Sequence, residues 1–253
     1  MISTFELNLV SILILLGAGF LTGFINTLAG GGSLLSIPAL IFVGMPSPMA
    51  NATNRVGIVL QTVVSTRRFF REGVLDVREA VTTAIPALLG AAIGAVAAAE
   101  LDARIFDIAL GIILLVMLAT LFFDPRAMLV EREKRLAPVV RIPIFFAIGL
   151  YGGFVQAGVG LLIMAVMIHL MGHELIKTNA QKVVIILLQS ALSLAIFTVY
   201  GMVQWIAGLV LALGSMLGAA VGVHFAMKRG AKAVRWVVVV AVVLSALRLF
   251  DVI

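Results

Sequence analysis

The stretch GFINTLAGGGS, residues 23–33, interrupts an apolar segment with three consecutive glycines. A second stretch, YGGFVQAGVG at residues 151–160, interrupts the other half of the chain in a similar way. The apolar segments around them, 8–44 and 141–171, are too long for one membrane span of about 20 residues. After each break about 11 apolar residues remain, which is roughly 16 Å of helix. Each segment is therefore predicted to enter the bilayer as a broken helical hairpin.

The composition of the whole chain excludes a water-soluble fold. Of its 253 residues, 62% are hydrophobic and 12% are charged, whereas ordinary globular domains have about 25% charged residues. The net charge of +6 does not indicate a nucleic-acid partner, because the basic residues stand in short clusters between apolar stretches, as in cytoplasmic membrane loops. The chain has no cysteine, so disulfides and cysteine-based metal or redox chemistry are excluded. The predicted surroundings are a lipid bilayer, and no cofactor is expected.

Six further segments have the length of a complete transmembrane helix. They are roughly 51–70, 79–99, 103–123, 180–199, 204–226 and 233–250. Loops rich in Arg and Lys face the cytoplasm, which places three basic connections inside. These are RRFFREGVLDVRE (67–79), DPRAMLVEREKRLAPVVR (124–141) and KRGAKAVR (228–235), whereas the acidic connection ELDAR (100–104) suits the outside.

The predicted location is the inner (plasma) membrane, with many crossings and with both termini extracytoplasmic. Counting spans between the basic loops requires segment 8–44 to begin and end outside and segment 141–171 to begin and end inside. The amino terminus lacks the basic region of a signal peptide and is interpreted as the first membrane segment.

The two halves of the chain repeat. With an offset of 128 residues Asn51 matches Asn179 and Gln61 matches Gln189. Because the charge rule points the halves in opposite directions, we predict an all-α polytopic membrane protein of two inverted-topology repeats. Each repeat is a broken re-entrant helical hairpin plus three transmembrane helices. The predicted divisions are a first repeat at 1–125, a cytoplasmic linker at 126–140 and a second repeat at 141–253. This arrangement is typical of secondary transporters.

The glycine breaks are the predicted substrate site. Irregular backbone inside a bilayer must line a cavity or be buried in protein, and the free N–H groups at a helix N-terminus attract anions. Neutral amide side chains add donors without the cost of a buried ion, about 2.5–3.5 kcal/mol. The alternatives are that the glycines only permit tight packing and that the amides only join helices. The predicted substrate-binding residues are Asn26, Thr27, Gly30, Gly31, Gly32, Ser33, Asn54, Arg55, Gln61, Gln156, Gly158, Gly160, Lys182 and Gln189.

Two basic residues, Arg55 and Lys182, lie one position apart in the repeat register. Each is predicted in the first turn of its span, with Arg55 at the outer entrance and Lys182 at the inner one, where they would draw anions toward the centre. The alternative is that both side chains snorkel to the lipid headgroups. The central part of every span is then expected to lack a fixed charge.

Other polar and small residues are given structural roles. The runs Gly90–Gly94 and Gly214, Gly218, Gly222 are typical of close helix packing. The three histidines, His169, His173 and His224, fall near predicted cytoplasmic helix ends without a metal-ligand spacing. Asp107 is interpreted as a helix-end charge. No catalytic and no metal-binding residue is predicted.

The first half of the chain resembles the TauE/SafE sulfite-exporter family, also called the toluene-sulfonate uptake permease family. The resemblance rests on residues 19–55, with the glycine-rich tip at Gly30–Gly32, Pro38-Ala39-Leu40, and Thr53-Asn54-Arg55. The resemblance extends into the second half of the chain through GLYGGFVQAGVG, the Lys182 region and GAAVGVHFAMKRG. Two positions depart from the family pattern: Arg55 stands where Lys is common, and Ile185 where a polar residue is often found.

The resemblance implies a transporter of sulfite, sulfonates, sulfoacetate, thiosulfate or similar sulfur oxyanions. The residues by themselves indicate only an anion near the bilayer midplane. The alternatives are a passive anion channel, a membrane assembly subunit without transport, and an intramembrane serine hydrolase using Ser33. The hydrolase is disfavoured because it would need a histidine or lysine base at the same depth as Ser33. The three histidines are predicted near helix ends instead. A homodimer is compatible with these features.

Overall fold

The protein is all-helical in the part that the structure describes. The computed structural model covers residues 7–28, 30–121 and 138–249, and within these ranges it has nine helices and no strand. The helices are α1 (Leu9–Leu28), α2 (Ser33–Phe42), α3 (Ser47–Arg71), α4 (Val77–Glu100), α5 (Ala103–Leu121), α6 (Pro138–Phe154), α7 (Val159–His169), α8 (Leu175–Val199) and α9 (Trp205–Leu249).

Four of the described helices are long and apolar enough to cross a membrane. They are α1, α4, α8 and the Trp205–Lys228 part of α9. Large apolar side chains also point outward at helical spacing: on α4, Ile85, Leu89 and Ile93 are 54%, 63% and 55% exposed. A soluble protein rarely exposes a continuous apolar surface of this kind, whereas lipid covers it without cost. The predicted multi-pass membrane protein is therefore confirmed at this level.

Both glycine segments break their helices. α1 ends at Leu28 and α2 begins at Ser33, with Gly30 at a φ of +85° between them. In the second half α6 ends at Phe154 and α7 begins at Val159, and Gly158 has a φ of +72°. L-residues rarely adopt this left-handed backbone, so glycine is needed at both turns. α2 has 10 residues and α7 has 11, about half of the length that a bilayer requires.

The helix contacts follow the same scheme in the two halves. The broken helix α1 packs along α9, and its counterpart α6 packs along α4. Likewise α3 packs against α9 and α8 against α4, while α3 and α8 contact each other. Each broken helix therefore leans on a helix from the opposite half of the chain. This exchange brings the two glycine breaks to the same place.

Glycine allows these exchanged helices to approach at backbone distance. A Cβ atom on Gly90 would lie 2.1 Å from Phe146 O of α6, and one on Gly94 2.1 Å from Leu150 O. At the α1–α9 crossing, a Cβ on Gly214 would lie 2.2 Å from Leu16 O. The packing role predicted for these glycine runs is confirmed.

Three predicted boundaries are wrong. α3 begins at Ser47 and α8 at Leu175, several residues before the predicted starts at 51 and 180, so their polar first turns belong to the helices. Pro48 favours the earlier start of α3, because proline is tolerated in the first turn. α9 continues to Leu249 as one helix of 45 residues, although two spans, 204–226 and 233–250, are predicted. The connecting residues 228–235 contain one glycine and no proline, which does not force a turn.

Residues 126–137 of the predicted linker 126–140 lie outside the described residues, and its last three residues begin α6. α5 agrees with the predicted span at 103–123. Asp107 on α5 is exposed and accepts a hydrogen bond from the Ser47 hydroxyl at the start of α3. A structural helix-end role for Asp107 is consistent with this contact.

Candidate functional site

The two glycine breaks touch each other. A Cβ atom on Gly30 would lie 2.4 Å from Gly160 Cα, and a Cβ on Gly160 would lie 2.4 Å from Gly30 Cα. Only a residue without a side chain fits on either side of this contact. The two breaks therefore meet, and the remaining polar side chains gather around this contact.

In the first break, the backbone of Gly32 is tied back to α1. Gly32 N donates to Asn26 Oδ1 at 2.6 Å, and Thr22 Oγ1 donates to Gly32 O at 3.1 Å. The predicted use of this N–H group for an anion is not what the structure shows, because the Asn26 side chain already occupies it. Gly31 differs, since it is half-buried and the nearest atom to a Cβ there would be Leu161 Cδ1 at 3.5 Å.

Arg55 of the first half holds the end of α6 in the second half. Its guanidinium donates to Gly152 O at 2.7 Å and to Gly153 O at 2.9 Å, and it also contacts Gln156 Oε1. Asn51, one turn earlier on α3, donates from Nδ2 to Phe154 O at 2.9 Å. The last carbonyls of a helix lack partners and carry partial negative charge, so a cation stabilises them.

Lys182 of the second half holds the end of α1 in the first half. Its Nζ donates to Asn26 O at 3.0 Å and lies 3.5 Å from Thr27 O. It also donates to Asn179 Oδ1, one turn earlier on α8, at 2.7 Å. The two halves therefore cap each other's broken helices, each with a basic side chain from the helix that follows its own hairpin.

Both basic side chains are completely buried, which excludes snorkelling to the headgroups. They are the ninth residue of α3 (55 − 47 + 1) and the eighth of α8 (182 − 175 + 1), so the prediction that they lie in the first turn is wrong. The expectation that the spans lack a fixed charge in their interior is also wrong. The assignment of Arg55 to an outer and Lys182 to an inner entrance stays a prediction.

The buried positive charge has no carboxylate partner in the described part of the chain. The buried polar side chains there include Arg55 and Lys182 but no Asp or Glu. The oxygen acceptors that the two cations contact are backbone carbonyls and neutral amides, and Lys182 Nζ also lies 3.5 Å from Met164 Sδ. An interior of this kind is electrostatically suited to an anion.

Several buried amides next to the breaks have polar atoms without a partner among the described residues. Gln189 is 0% exposed, and neither its Oε1 nor its Nε2 is hydrogen-bonded. Its Nε2 lies beside the α6 break, where it would be 3.0 Å from a Cβ on Gly152. Gln61 Oε1 and Asn54 Nδ2 are also without a partner. Since buried polar groups are nearly always hydrogen-bonded, such atoms have capacity left for a partner such as water, an ion or a ligand.

The other predicted site residues are buried within this region. Thr27 Oγ1 hydrogen-bonds Ser65 Oγ at 3.0 Å, and Gln156 Oε1 accepts from Ser190 Oγ at 3.0 Å. Asn54 Oδ1 accepts from Ser36 Oγ at 2.6 Å. Ser33 is the first residue of α2, Gly158 directly precedes α7, and both are buried.

Four residues that lie among the predicted site residues were not themselves predicted from the sequence. They are Asn51, Asn179, Ser65 and Ser190. A signal was present, because Asn51 lies four residues before Arg55 and Asn179 three residues before Lys182, which places each pair on one helix face. In the sequence, the two asparagines indicate only the repeat of the two halves.

A second polar cluster lies where α4 begins and α7 leads into α8. Glu79 Oε1 is 3.0 Å from His173 Nε2, and Glu79 Oε2 is 3.0 Å from Lys177 Nζ. Gln181 Nε2 donates to Glu79 Oε2 at 2.7 Å. Burial lowers the pKa of His173; the Glu79 carboxylate opposes this, and the positive charges of Lys177 and Arg141 add to it. His173 Nδ1 is buried without a partner, which also fits a neutral ring.

Comparisons with known proteins cover nearly the whole chain. Residues 15–249 match the family model described as Sulfite exporter TauE/SafE. A probable membrane transporter protein of Haemophilus influenzae is 30% identical over 240 residues, which are 94% of this chain and 94% of that protein. The probable membrane transporter protein YfcA of Escherichia coli is 28% identical over 240 residues, or 94% and 89% of the two chains.

A further relative is the probable membrane transporter protein ORF9 of Sinorhizobium sp, which is 28% identical over 233 residues, or 92% of this chain and 89% of the relative. No solved structure matches the chain. The matched residues include both broken helices and the two basic side chains that hold them. The chain therefore belongs to the Sulfite exporter TauE/SafE family and is a multi-pass membrane transporter.

Proposed function

We propose that this transporter carries sulfur-containing oxyanions such as sulfite, sulfonates or sulfoacetate, and binds them where the two glycine breaks meet. The observation that carries the proposal is the reciprocal capping of the broken helices by two buried cations. Lys182 contacts the end of α1 and Arg55 the end of α6, and no buried carboxylate accompanies them in the described part. An anion entering this region would meet a positive potential that water does not screen.

The donors available for the anion lie mainly on the Arg55 side of the breaks. Arg55 Nε and Gln189 Nε2 are buried without partners among the described residues, and Gly31 leaves its backbone open to a close approach. A planar guanidinium N–H and an amide N–H suit the oxygens of a sulfonate or sulfite group. Asn26 and Gln156 support the site indirectly, because their side-chain oxygens already bind Gly32 and Arg55.

The exchange of helices between the halves supports an alternating-access mechanism for inverted repeats. If one half rocks against the other, the direct contact of Gly30 with Gly160 is a natural pivot. Each half holds the broken helix of the other by a basic side chain, so the motion must change both attachments together. In this mechanism the site opens to one side of the membrane at a time.

A binding and transport screen tests the proposal. The purified full-length chain would be titrated calorimetrically with sulfite, thiosulfate, sulfoacetate, taurine and sulfate, and then reconstituted in liposomes for flux measurements. We expect saturable binding of at least one sulfur oxyanion and exchange of labelled anion across the membrane. Flux that never saturates would indicate the passive anion channel instead. Absence of binding by every anion in the screen would contradict the proposed substrate class.

A further inference from the structure

The acceptors around the Lys182 amine can serve its protonated form. Its Nζ lies 2.7 Å from Asn179 Oδ1, 3.0 Å from Asn26 O and 3.5 Å from Thr27 O. An ammonium group has three N–H donors and can serve three acceptors, whereas a neutral amine has only two. The described contacts therefore use the whole donor capacity of the charged form.

This charge is held without an ionisable partner. Besides the three oxygens, the only described contact of Nζ is Met164 Sδ at 3.5 Å. A buried charge without a counter-ion is costly, and a lysine can avoid the cost by releasing its proton. An arginine cannot do so under physiological conditions, so Arg55 keeps its charge in the other half. The two halves thus differ at the point where each caps the other.

No hydrogen bond or ion pair joins this amine to an ionisable group among the side chains that the structure describes. Arg55 on α3 bonds to the end of α6, and Glu79 at the start of α4 bonds to His173 and Lys177. Among the residues whose side chains the structure describes, the other ionisable ones on α8 and on the helices that pack against it are Arg67, Arg68, Arg71, Arg78, Glu100, Arg141, Tyr151, His169, His224 and Lys228.

Asn26 connects this amine to the first glycine break. Its backbone oxygen accepts from Lys182, and its side-chain oxygen accepts from Gly32 N at 2.6 Å. When the amine loses its proton, it loses one donor and its charge, and the end of α1 loses part of its cap. The break that faces the anion is then held less firmly.

We propose that Lys182 takes up one proton when an anion binds at the glycine breaks and releases it when the anion leaves, so that anion and proton cross the membrane together. The proton comes from water on the side to which the site is open, converts –NH2 to –NH3+, and returns to water on the opposite side. Linkage requires reciprocity: if the anion favours the protonated amine, protonation strengthens anion binding by the same factor. This inference rests on the proposed anion transport.

Proton uptake during binding provides the test. The purified full-length chain is titrated with thiosulfate and with sulfoacetate in buffers of different ionisation enthalpy, from about pH 6 to about pH 9. Both anions stay ionised over this range, so any proton taken up belongs to the protein. Three proteins are compared: the unsubstituted chain, Lys182→Arg, which retains the charge, and His173→Gln, which removes a titratable side chain outside the site.

We expect the unsubstituted chain and His173→Gln to take up protons on binding, with affinity falling as the pH rises, and Lys182→Arg to bind without uptake. Uptake that persists in Lys182→Arg, or that disappears in His173→Gln, would overturn the proposal. So would binding by the unsubstituted chain with no uptake at any pH, although anion transport itself would then stand. If neither anion binds, the proposed function fails first.

A second measurement does not depend on any variant folding. With the unsubstituted chain in liposomes that contain a pH-sensitive dye, an inward gradient of the anion that binds should acidify the lumen. Labelled anion entering without a change in lumen pH would overturn proton coupling and leave anion transport intact.

Discussion

Gly31 offers a test of the anion site that does not disturb the fold. A Cβ there meets nothing closer than Leu161 Cδ1 at 3.5 Å, and the φ of Gly31 is not positive. We therefore expect Gly31→Ala to fold normally but to weaken anion binding, because the new methyl group blocks the approach to the backbone. A lost hydrogen bond to a charged group costs about 1.5–3 kcal/mol, or roughly 10- to 150-fold in affinity. Calorimetry on the purified variant measures the loss.

Gly30→Ala is the contrasting variant. Its Cβ would overlap Gly160 Cα at 2.4 Å, and its φ of +85° disfavours any L-residue. This variant should lose thermal stability as well as binding. Full affinity in Gly31→Ala would show that the anion does not approach the backbone at this position.

A substitution of Gln189 can distinguish a structural role of this side chain from a binding role, because the two roles predict opposite changes in thermal stability. Its buried amide has no partner among the described residues, and such a group costs about 1–3 kcal/mol when unsatisfied. Methionine has a similar shape without the amide. We expect Gln189→Met to unfold at a higher temperature in the absence of anion and to bind anion more weakly. If the variant is less stable, the amide has a structural partner and its assignment to the site is wrong.

At this scale the sequence predicts which residues gather around the glycine breaks better than it predicts which partners they bond to. The amides and basic residues beside the glycine breaks are indeed buried around one contact. Their partners depend on the exchange of helices between the halves: Arg55 bonds to residues 97, 98 and 101 positions away in the chain. Local spacing contains no information about such partners, and so the capping roles of Arg55 and Lys182 were not predicted.

Among the helices, the close crossings depend on glycine at particular positions. On α1, a Cβ on Gly23 would lie 1.9 Å from Ser215 O of α9, whereas a Cβ on Gly17 would meet nothing within 4 Å. Gly23→Ala should therefore separate α1 from α9 and lower thermal stability. Gly17→Ala, the matched control on the same helix, should be neutral or slightly stabilising, because alanine is the better helix former by about 1 kcal/mol.

Thermal unfolding of the two purified variants beside the unsubstituted chain gives the comparison. Because α1 carries the first glycine break at its end, Gly23→Ala should also weaken anion binding. Equal stability of the two variants would mean that the α1–α9 crossing is looser than the structure indicates.

The His173 cluster joins the start of α4 to the connection before α8 and predicts a pH dependence of stability. The pKa of His173 is lowered by burial, so the unfolded chain binds the proton more readily than the folded chain. The free energy of unfolding should then be fully retained above about pH 6.5, the ordinary value of a histidine, and should fall as the pH drops toward the lowered pKa of the folded state.

His173→Gln should remove this part of the acid sensitivity and leave the rest. The measurement is thermal unfolding from neutral to mildly acidic pH, with the difference between the two proteins as the readout. A difference that grows with rising rather than falling pH would mean that the Glu79 carboxylate dominates and that the ring is charged in the folded protein.

The helix ends were predicted well where helix-breaking glycines mark them, and poorly where the sequence has no such signal. The glycine breaks, with positive φ at Gly30 and Gly158, ended their helices where predicted. The basic segment at 228–235 was predicted to be a loop from its charge alone. Charge indicates which side of a membrane a segment faces, but it does not terminate a helix, and α9 runs through this segment.

For the molecule as a whole, the inverted orientation of the two halves remains the central prediction. The exchanged packing of α1 with α9 and of α6 with α4 gives the halves equivalent surroundings. Membrane direction is a separate property and rests on the distribution of Arg and Lys. On that basis we predict that the connection between α3 and α4 faces the cytoplasm and that the corresponding connection between α8 and α9 faces outside.

Single cysteines at matched positions test this orientation. Glu72 and Tyr200 are register mates (72 + 128 = 200) that directly follow α3 and α8, and both are exposed. The chain has no native cysteine, so Glu72→Cys and Tyr200→Cys each create a unique thiol. In intact cells, a membrane-impermeant maleimide should label Tyr200→Cys at once and Glu72→Cys only after the membrane is permeabilised. Labelling of both thiols from the same side would make the halves parallel and would remove the structural basis for alternating access.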